Sequence, residues 1–465
     1  MHTTLWFINM RKIKNYIGLF LLVFSVSVQA QNKKWTILEC VEYALQHNIS
    51  IRQTELDTMA AKIDGKDAIG NFLPSVNANA SHSWNIGLNQ NITTGLLENQ
   101  TTQFTSAGLN MGIDIYRGMQ NQNRLSRARL SLIASQYQLK KMRDDVSLNV
   151  ANAFLQILFN KENLKVQKEL LQNNEKQQTR TRELVNAGSV PRGDLLDTQA
   201  TVAGSKQAVV LAENTLLISK LSLAQLLQLE DYENFDIADE NFDVQDSPTM
   251  MQTPHAIYEK AKEERAEIKI AKTNLEIAEK DVKIARAGFQ PSLTGYYSFS
   301  TRASYSDRII GVDGNGNPIV TGPQPLFDQF SDNKGHSFGL QLNVPILNGF
   351  TVRNSVARSK ISLERYKIAY SQQELDLQRN VYTAFTDAKG ALNSYEAAVS
   401  ALEARTEAFN YAKEKFNVGL MNAFDLNQAQ TLFANAQSEV LRAKYDYIFR
   451  VKVVEFYFGI PITKK

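Results

Sequence analysis

Two stretches of this sequence, Met119–Ala187 and Phe350–Val418, hold almost no residue able to break a helix. The first contains neither Gly nor Pro, and the second only Gly390. In a helix interior Gly costs about 1 kcal/mol and Pro about 3, so each stretch can run as one helix of about seventy residues. At about 1.5 Å per residue that is roughly 100 Å, about three times the diameter of a small domain. Along the first, apolar residues recur at heptad-like spacing (Leu132, Leu139, Val146, Val150, Leu155) between Gln, Lys, Asn and Glu. Such a narrow seam needs neighbouring helices to cover it. Shorter helices are expected at 194–230 and 422–459, and at 36–70 and 253–288. Two of these stacked end to end would match one long helix, which predicts a mostly α tube of uniform height.

The plan is written twice. At an offset of 231, "SAGLNMGIDIYRG" (106–118) overlays "SFGLQLNVPILNG" (337–349), and "NAGSVPRGDLLDTQA" (186–200) overlays "NVGLMNAFDLNQAQT" (417–431). Upstream the offset is 217, where "FLPSVNANAS" (72–81) overlays "FQPSLTGYYS" (289–298). The difference of 14 residues (231 − 217) therefore lies between 299 and 336. We read a duplicated helix–strand–strand–long helix unit, 31–240 and 241–465, with a longer insertion in the second copy.

The expected strands, about 72–85, 104–117, 289–302 and 336–349, carry a period of two. Leu109, Met111, Ile113 and Ile115 alternate with Gly108, Asn110, Gly112 and Asp114, and Phe338, Leu340, Leu342, Val344 and Ile346 alternate with polar residues, Gly and Pro. Apolar-out, polar-in alternation over about ten residues is the pattern of a membrane β-barrel strand; a soluble hairpin pair packed on the helices is the alternative. Trp84, Tyr296, Tyr297 and Phe299 suit an aromatic belt at a membrane interface. The chain beyond the leader has no run of eighteen apolar residues, so no spanning helix is expected. Four strands leave two open edges, which hydrocarbon does not tolerate. Other copies of the chain must close the barrel, with eight strands from two copies or twelve from three. Loops at 86–103 and 303–335 would join the strand pairs on the outer side. In "VDGNGNPIVTG", Asp313, Asn315 and Asn317 imitate a calcium loop, but Pro318 and Gln324 stand where Gly and Glu are required, so an Asn-Gly turn is the reading.

The amino terminus reads as a secretory signal over 1–30: basic Arg11, Lys12 and Lys14, an apolar run from Ile17 to Val26, and a small-residue end at Val28-Gln29-Ala30. Translation starts at Met1 or at Met10. Removing those three basic residues leaves 51 − 3 = 48 basic against 48 acidic residues, so nothing global supports a nucleic-acid partner. Five scattered His (2, 47, 82, 255, 336) and the single Cys40 offer no metal site, no disulfide and no cofactor. No Ser-His-Asp set or phosphate loop points to an enzyme.

The signal, the duplicated units, the "F-x-P-S" strand starts and the paired Gly-x5-Asp-Leu turns together resemble the TolC-like outer-membrane efflux factor family over essentially the whole mature chain. The resemblance implies a homotrimer in the outer membrane, reaching into the periplasm: a trimeric α-barrel of twelve helices continued by a 12-stranded β-barrel. It implies a passive exit duct for efflux or type I secretion, coupled to a periplasmic adaptor protein and an inner-membrane pump. Each turn becomes a tip at the periplasmic mouth. Gly188 and Gly419 are expected in the left-handed conformation that ends a helix, and Asp194 and Asp425 at the start of the next, as N-caps or as something more. By position, the family's pore-entrance acidic ring carries over to Asp425 and Asp194. Its second acid falls at Gln428, so the ring is weaker or displaced to Asp197. The Tyr and Arg that lock the closed tip in relatives fall at Phe416 and Met421, which leaves Arg192 as a candidate gate contact. Gly188, Ser189, Val190, Gly419, Leu420 and Met421 would dock the adaptor. The competing reading is an exported coiled-coil structural or adhesin-like protein, which leaves the strand alternation unexplained.

Overall fold

The computed structural model describes residues 34–461 apart from 91–94, 231, 233, 241, 243, 245 and 246. The signal expected at 1–30, and the choice between Met1 and Met10, lie outside the described residues. In chain order the elements are β1 (Lys34–Trp35), α1 (Ile37–His47), α2 (Ile49–Gly70), β2 (Ser75–Gln90), β3 (Leu97–Arg117), α3 (Gln120–Asn186) and α4 (Arg192–Leu227). After β4 (Asp236–Ile237) come α5 (Pro254–Glu264), α6 (Ala266–Arg286), β5 (Ser292–Ser304), β6 (Arg308–Val312) and β7 (Pro318–Thr321). The chain ends with α7 (Leu326–Asp332), β8 (Gly335–Asn343), α8 (Thr351–Asn417) and α9 (Ala423–Phe458).

The breaker-free stretches form α3 and α8, 67 residues each. Both of their bounds, and both bounds of α4 and α9, recur 231 residues later (351 − 120, 417 − 186, 423 − 192, 458 − 227). Four pairs of positive-φ residues obey the same spacing: Gly118 and Gly349, Met119 and Phe350, Gly188 and Gly419, Gln228 and Gly459. Helix starts at Ile37 and Ile49 recur 217 later at Pro254 and Ala266.

Contacts divide the chain into two units. The first holds residues up to Gln53, Lys140–Arg265 and Asp376–Lys465. Its core is made by Val150, Phe154 and Ile157 of α3, Leu223 and Leu227 of α4, Ile257 and Ala261 of α5, and Ile237, all fully buried or nearly so. Here two expectations are corrected. The helices expected at 36–70 and 253–288 are each broken in two, at Asn48 and Arg265, where ψ swings to 127° and 133°. Neither break uses Gly or Pro; a buried polar side chain stands at each one. Asn48 Oδ1 accepts from Ser50 N at 2.9 Å, and its Nδ2 donates to Leu226 O at 3.0 Å. The buried Arg265 guanidinium lies 3.9 Å from the Phe456 ring centroid.

In the same unit β1 pairs in parallel with β4, fastened by charge. Lys161 reaches Asp236 at 3.2 Å, Asp239 at 2.7 Å and Ile237 O at 3.0 Å; Lys220 adds Asp236 at 2.9 Å and Lys34 adds Asp239 at 2.8 Å. Burial pushes the Asp236 carboxyl up, but hydrogen bonds from Lys220 and Lys161 outweigh it and hold it below its usual value. Bonds from Lys161 and Lys34 do the same for Asp239. Nearby, burial and the charges of Glu162 and Asp239 push the Tyr445 phenol up to about 12. Among the described residues, α4 alone is apolar enough by length and composition to cross a membrane. Three of its charges have partners from this unit, however: Glu213 meets Lys168 at 2.7 Å, Lys206 meets Glu175 at 3.4 Å and Lys220 meets Asp236 at 2.9 Å.

The second unit, Thr54–Leu139 and Ala266–Leu375, contains a four-stranded antiparallel sheet in the order β2-β3-β5-β8, which leaves β2 and β8 as edges. The strands differ from expectation at their ends. β2 and β3 run on through 90 and 97, so the connection expected at 86–103 is far shorter. β8 stops at Asn343 because Pro345 cannot donate to a ladder; Ile346 beyond it is 94% exposed. The second connection, expected as a loop at 303–335, holds a β6–β7 hairpin and the helix α7. The hairpin turns on Asp313, which accepts from Asn315 N and Asn317 N, both at 2.8 Å. Past the end of β8, Gln329 of α7 stands in for a strand. Ser304 N donates to its Oε1 and its Nε2 donates to Ser304 O, each at 2.9 Å.

Candidate functional site at the paired helical turns

The turns after α3 and α8 share one hydrogen-bond pattern. Gly188 N donates to Val185 O at 3.0 Å and Ser189 N to Leu184 O at 2.8 Å; Gly419 N donates to Phe416 O at 3.1 Å and Leu420 N to Lys415 O at 2.9 Å. With φ of 73° and 79° at the two glycines, this is the Schellman arrangement that satisfies the last carbonyls of a helix.

The first helix that follows begins at Arg192, two residues before the expected 194, and the second at Ala423, one after the expected 422; the caps are Pro191 and Asn422, so the aspartates are not N-caps. Asn422 caps α9, its Oδ1 accepting from Asp425 N at 2.8 Å, while Pro191 caps α4 with no side-chain bond. Asp194 and Asp425 occupy the third helical position, where a carboxylate is favoured by the helix dipole. Asp194 is half-buried; Asp197, one turn on, and Asp425 are exposed. Gly188, Ser189, Gly419 and Leu420 are exposed, while Val190 and Met421 are half-buried. Val418, Leu420 and Phe424 are apolar yet 66–77% exposed, so the second turn presents bare hydrophobic surface.

Arg192 is exposed and pairs with no carboxylate among the described residues. The cation that spans the two turns is Arg180, which sequence reasoning missed. Its Nη1 donates to Asn417 Oδ1 at 2.7 Å and its guanidinium sits 5.6 Å from the Phe416 ring centroid. The only signal in the sequence was the chance that an Arg one helical turn or two before the first tip would find the polar end of α8. Behind the tips, Asn174 Nδ2 donates to Ser205 Oγ at 2.7 Å and Phe409 stacks on Phe433 at 5.3 Å, so the hairpin stems are packed.

The sheet's register sorts its residues into two faces. Val76, His82, Trp84, Leu109, Met111, Tyr297, Phe299, Phe338 and Leu340 share one, and Phe338 is 80% exposed there. Tyr296, expected in the aromatic belt with Tyr297, falls on the opposite face because neighbouring strand residues alternate; its ring lies against Gly339. That opposite face is a ladder of small polar groups. Asn110 Nδ2 donates to Asn79 Oδ1 at 3.1 Å, Ser298 Oγ to Asn110 Oδ1 at 2.9 Å, and Ser81 pairs with Ser106 at 2.8 Å. Asp114 at its inner end is tied to Arg117 at 3.0 Å.

The profile of the family described as "Outer membrane efflux protein" matches residues 40–228 and 257–452. The outer membrane protein TolC of Vibrio cholerae serotype O1 is 24% identical over 376 residues, 78% of this chain and 79% of that protein. Among solved structures, the outer membrane protein VceC of Vibrio cholerae superposes with a TM-score of 0.75 at 16% identity, covering 92% of this chain and 96% of that one. The CmeC outer membrane channel of Campylobacter jejuni gives 0.78 at 18% identity, with 94% and 87% covered. CusC gives 0.76 at 17%, with 91% and 92% covered. This chain therefore belongs to the outer membrane efflux protein family, with the fold of its channels and a place in the outer membrane.

Proposed function

We propose that three copies of this chain form a passive exit duct, in which twelve strands close a β-barrel in the outer membrane and twelve helices continue it into the periplasm. The observation that carries this reading is the four-stranded sheet, apolar on one face, polar on the other, and open at β2 and β8. Lipid accepts no open edge, and a β8-to-β2 contact between neighbouring copies removes every edge at once. The helices support it independently. Ile361, Ile368 and Leu375 of α8 and Leu56 and Ile63 of α2 are exposed at heptad spacing. Two different seams on one protomer suit a head-to-tail ring. The spacings of 231 and 217 that bind helix bounds and left-handed residues favour the view that the two halves arose as copies of one unit.

In this reading the turns after α3 and α8 form the inner mouth. Asp194, Asp197 and Asp425 supply its acidic ring, and Gly188, Ser189, Val190, Gly419, Leu420 and Met421 the surface that docks a periplasmic adaptor and, through it, an inner-membrane pump. The exposed Val418, Leu420 and Phe424 favour docking there. Arg180, rather than Arg192, is the cation placed to tie the two turns together. The duct is tested by recording purified protein in a planar lipid bilayer: stable ion conductance from a species of three chains is expected, and a non-conducting monomer would end the proposal.

A further inference from the structure

We propose that Arg302 is a second selectivity element of the duct, a cationic ring near the outer end of the barrel that meets anionic solutes as they leave. The inference rests on the reading that the face bearing Asn79, Asn110 and Ser298 lines the bore. On that face of the paired strands, Glu98 lies on the extension of β2 and β3 beyond the last β3–β5 pair, Phe104 with Ser304. Asp114, at the other end, is neutralised by Arg117. Between them Arg302 is the one charged side chain among the described residues. It stands opposite Ser106 in the ladder, with Ser81 beyond.

Its position is built. The guanidinium lies 3.6 Å from the Phe104 ring centroid, the diagonal neighbour on the same face, and Asn333 Nδ2 donates to the Arg302 carbonyl at 2.7 Å. A ring face steadies a guanidinium without cancelling its charge. Among the described residues no carboxylate pairs with it. An unpaired cation held against the wall of a narrow, low-dielectric tube focuses its field on the solution inside, and rings of charged side chains set whether a pore favours anions or cations. Three copies would put three such cations at one level, opposite in sign to Asp194 and Asp425 at the inner mouth. The ligand class is a solute bearing carboxylate, phosphate or sulfate.

The experiment measures reversal potentials of single channels in a bilayer under a KCl gradient. Arg302→Ser should raise the K⁺ to Cl⁻ permeability ratio by about twofold and Arg302→Glu by about fourfold or more. A Ser298→Cys variant, treated from the bath with a charged thiosulfonate reagent, reports whether that face is wet. If Ser298→Cys current is blocked while Arg302→Glu leaves the ratio unchanged, the Arg302 ring is refuted and the duct survives. If Ser298→Cys current is untouched, the lining face is wrong and the proposal falls with it.

Discussion

The Asn48 side chain serves two helices at once: Oδ1 accepts from Ser50 N at 2.9 Å at the start of α2, and Nδ2 donates to Leu226 O at 3.0 Å near the end of α4. One amide thus closes the orphan donors of one helix and an orphan carbonyl of another. At the corresponding break in the second half, Arg265 instead lies over Phe456 and Tyr457. Losing an N-cap costs about 1 kcal/mol and losing a buried acceptor's partner about 1 more. Asn48→Ala should therefore lower stability by about 2 kcal/mol, read as a fall in thermal midpoint. Asn48→Asp keeps the cap and loses the donor, so it should fall between; a wild-type midpoint in both would show the amide to be idle.

What the sequence could reveal follows from what is local. A lack of Gly and Pro is a local property, and it located α3 and α8 to within a residue or two. Left-handed Gly188 and Gly419 were legible for the same reason. The breaks at Asn48 and Arg265 were not, since each depends on a partner about 180 or 190 residues away, Leu226 or Phe456. Arg180 was missed likewise, because Asn417 lies 237 residues on. The aspartates sit three positions past the caps because Pro191 and Asn422 had already started the helices.

The Lys161 cluster gives stability a pH dependence of known sign. Asp236 and Asp239 ionise more readily in the folded chain than in the unfolded one. Their contribution is therefore complete above about pH 4, the unfolded value, and is lost as pH falls through the lower folded values. Lys161, with a side chain 17% exposed, is central to both. Lys161→Met should cost about 2 kcal/mol at neutral pH and flatten the loss of stability below about pH 4. The check is a series of thermal midpoints between pH 2 and 7, and parallel curves for the two proteins would contradict the assignment.

Two kinds of glycine in the long-helix hairpins should respond with opposite signs. Gly188 and Gly419 have open space where a Cβ would go, but their φ of +73° and +79° penalises any side chain. Alanine at either should cost about 1 kcal/mol. Gly390, inside α8, also faces open space, with no positive φ, so Gly390→Ala should stabilise by about 0.5–1 kcal/mol. Thermal unfolding of the three variants decides; a Gly390→Ala variant less stable than wild type would mean that another chain occupies that space.

The exposed heptad on α8 predicts what holds copies together. Ile368 is 65% exposed with Ile361 and Leu375 seven residues to either side. If that seam packs on a neighbouring copy, Ile368→Glu places a charge in a buried interface, at several kcal/mol per ring. Light scattering of detergent-extracted protein should then report single chains. Lys367→Glu, next along the helix but off the seam, should leave the assembly intact. Dissociation by both or by neither would move the interface elsewhere.

The inner mouth carries the last expectation. Asp194, Asp197 and Asp425 lie within the first two turns of α4 and α9, exposed or half-buried. If the turns surround a pore, nine carboxylates (three residues in three copies) ring it, and fixed charge in a constriction enriches counter-ions over co-ions. Asp194→Asn with Asp425→Asn should lower the K⁺ to Cl⁻ permeability ratio by about threefold or more, with conductance falling at low salt and recovering as salt screens the remaining charge. Asp197→Asn alone asks where the ring sits. Gln428 stands where relatives place a second acid, so a large effect of Asp197→Asn would show the charge moved to the first turn's helix. A small one leaves Asp194 and Asp425 as the selective pair. Unchanged selectivity when all three aspartates are replaced by Asn would remove the acidic ring from the duct.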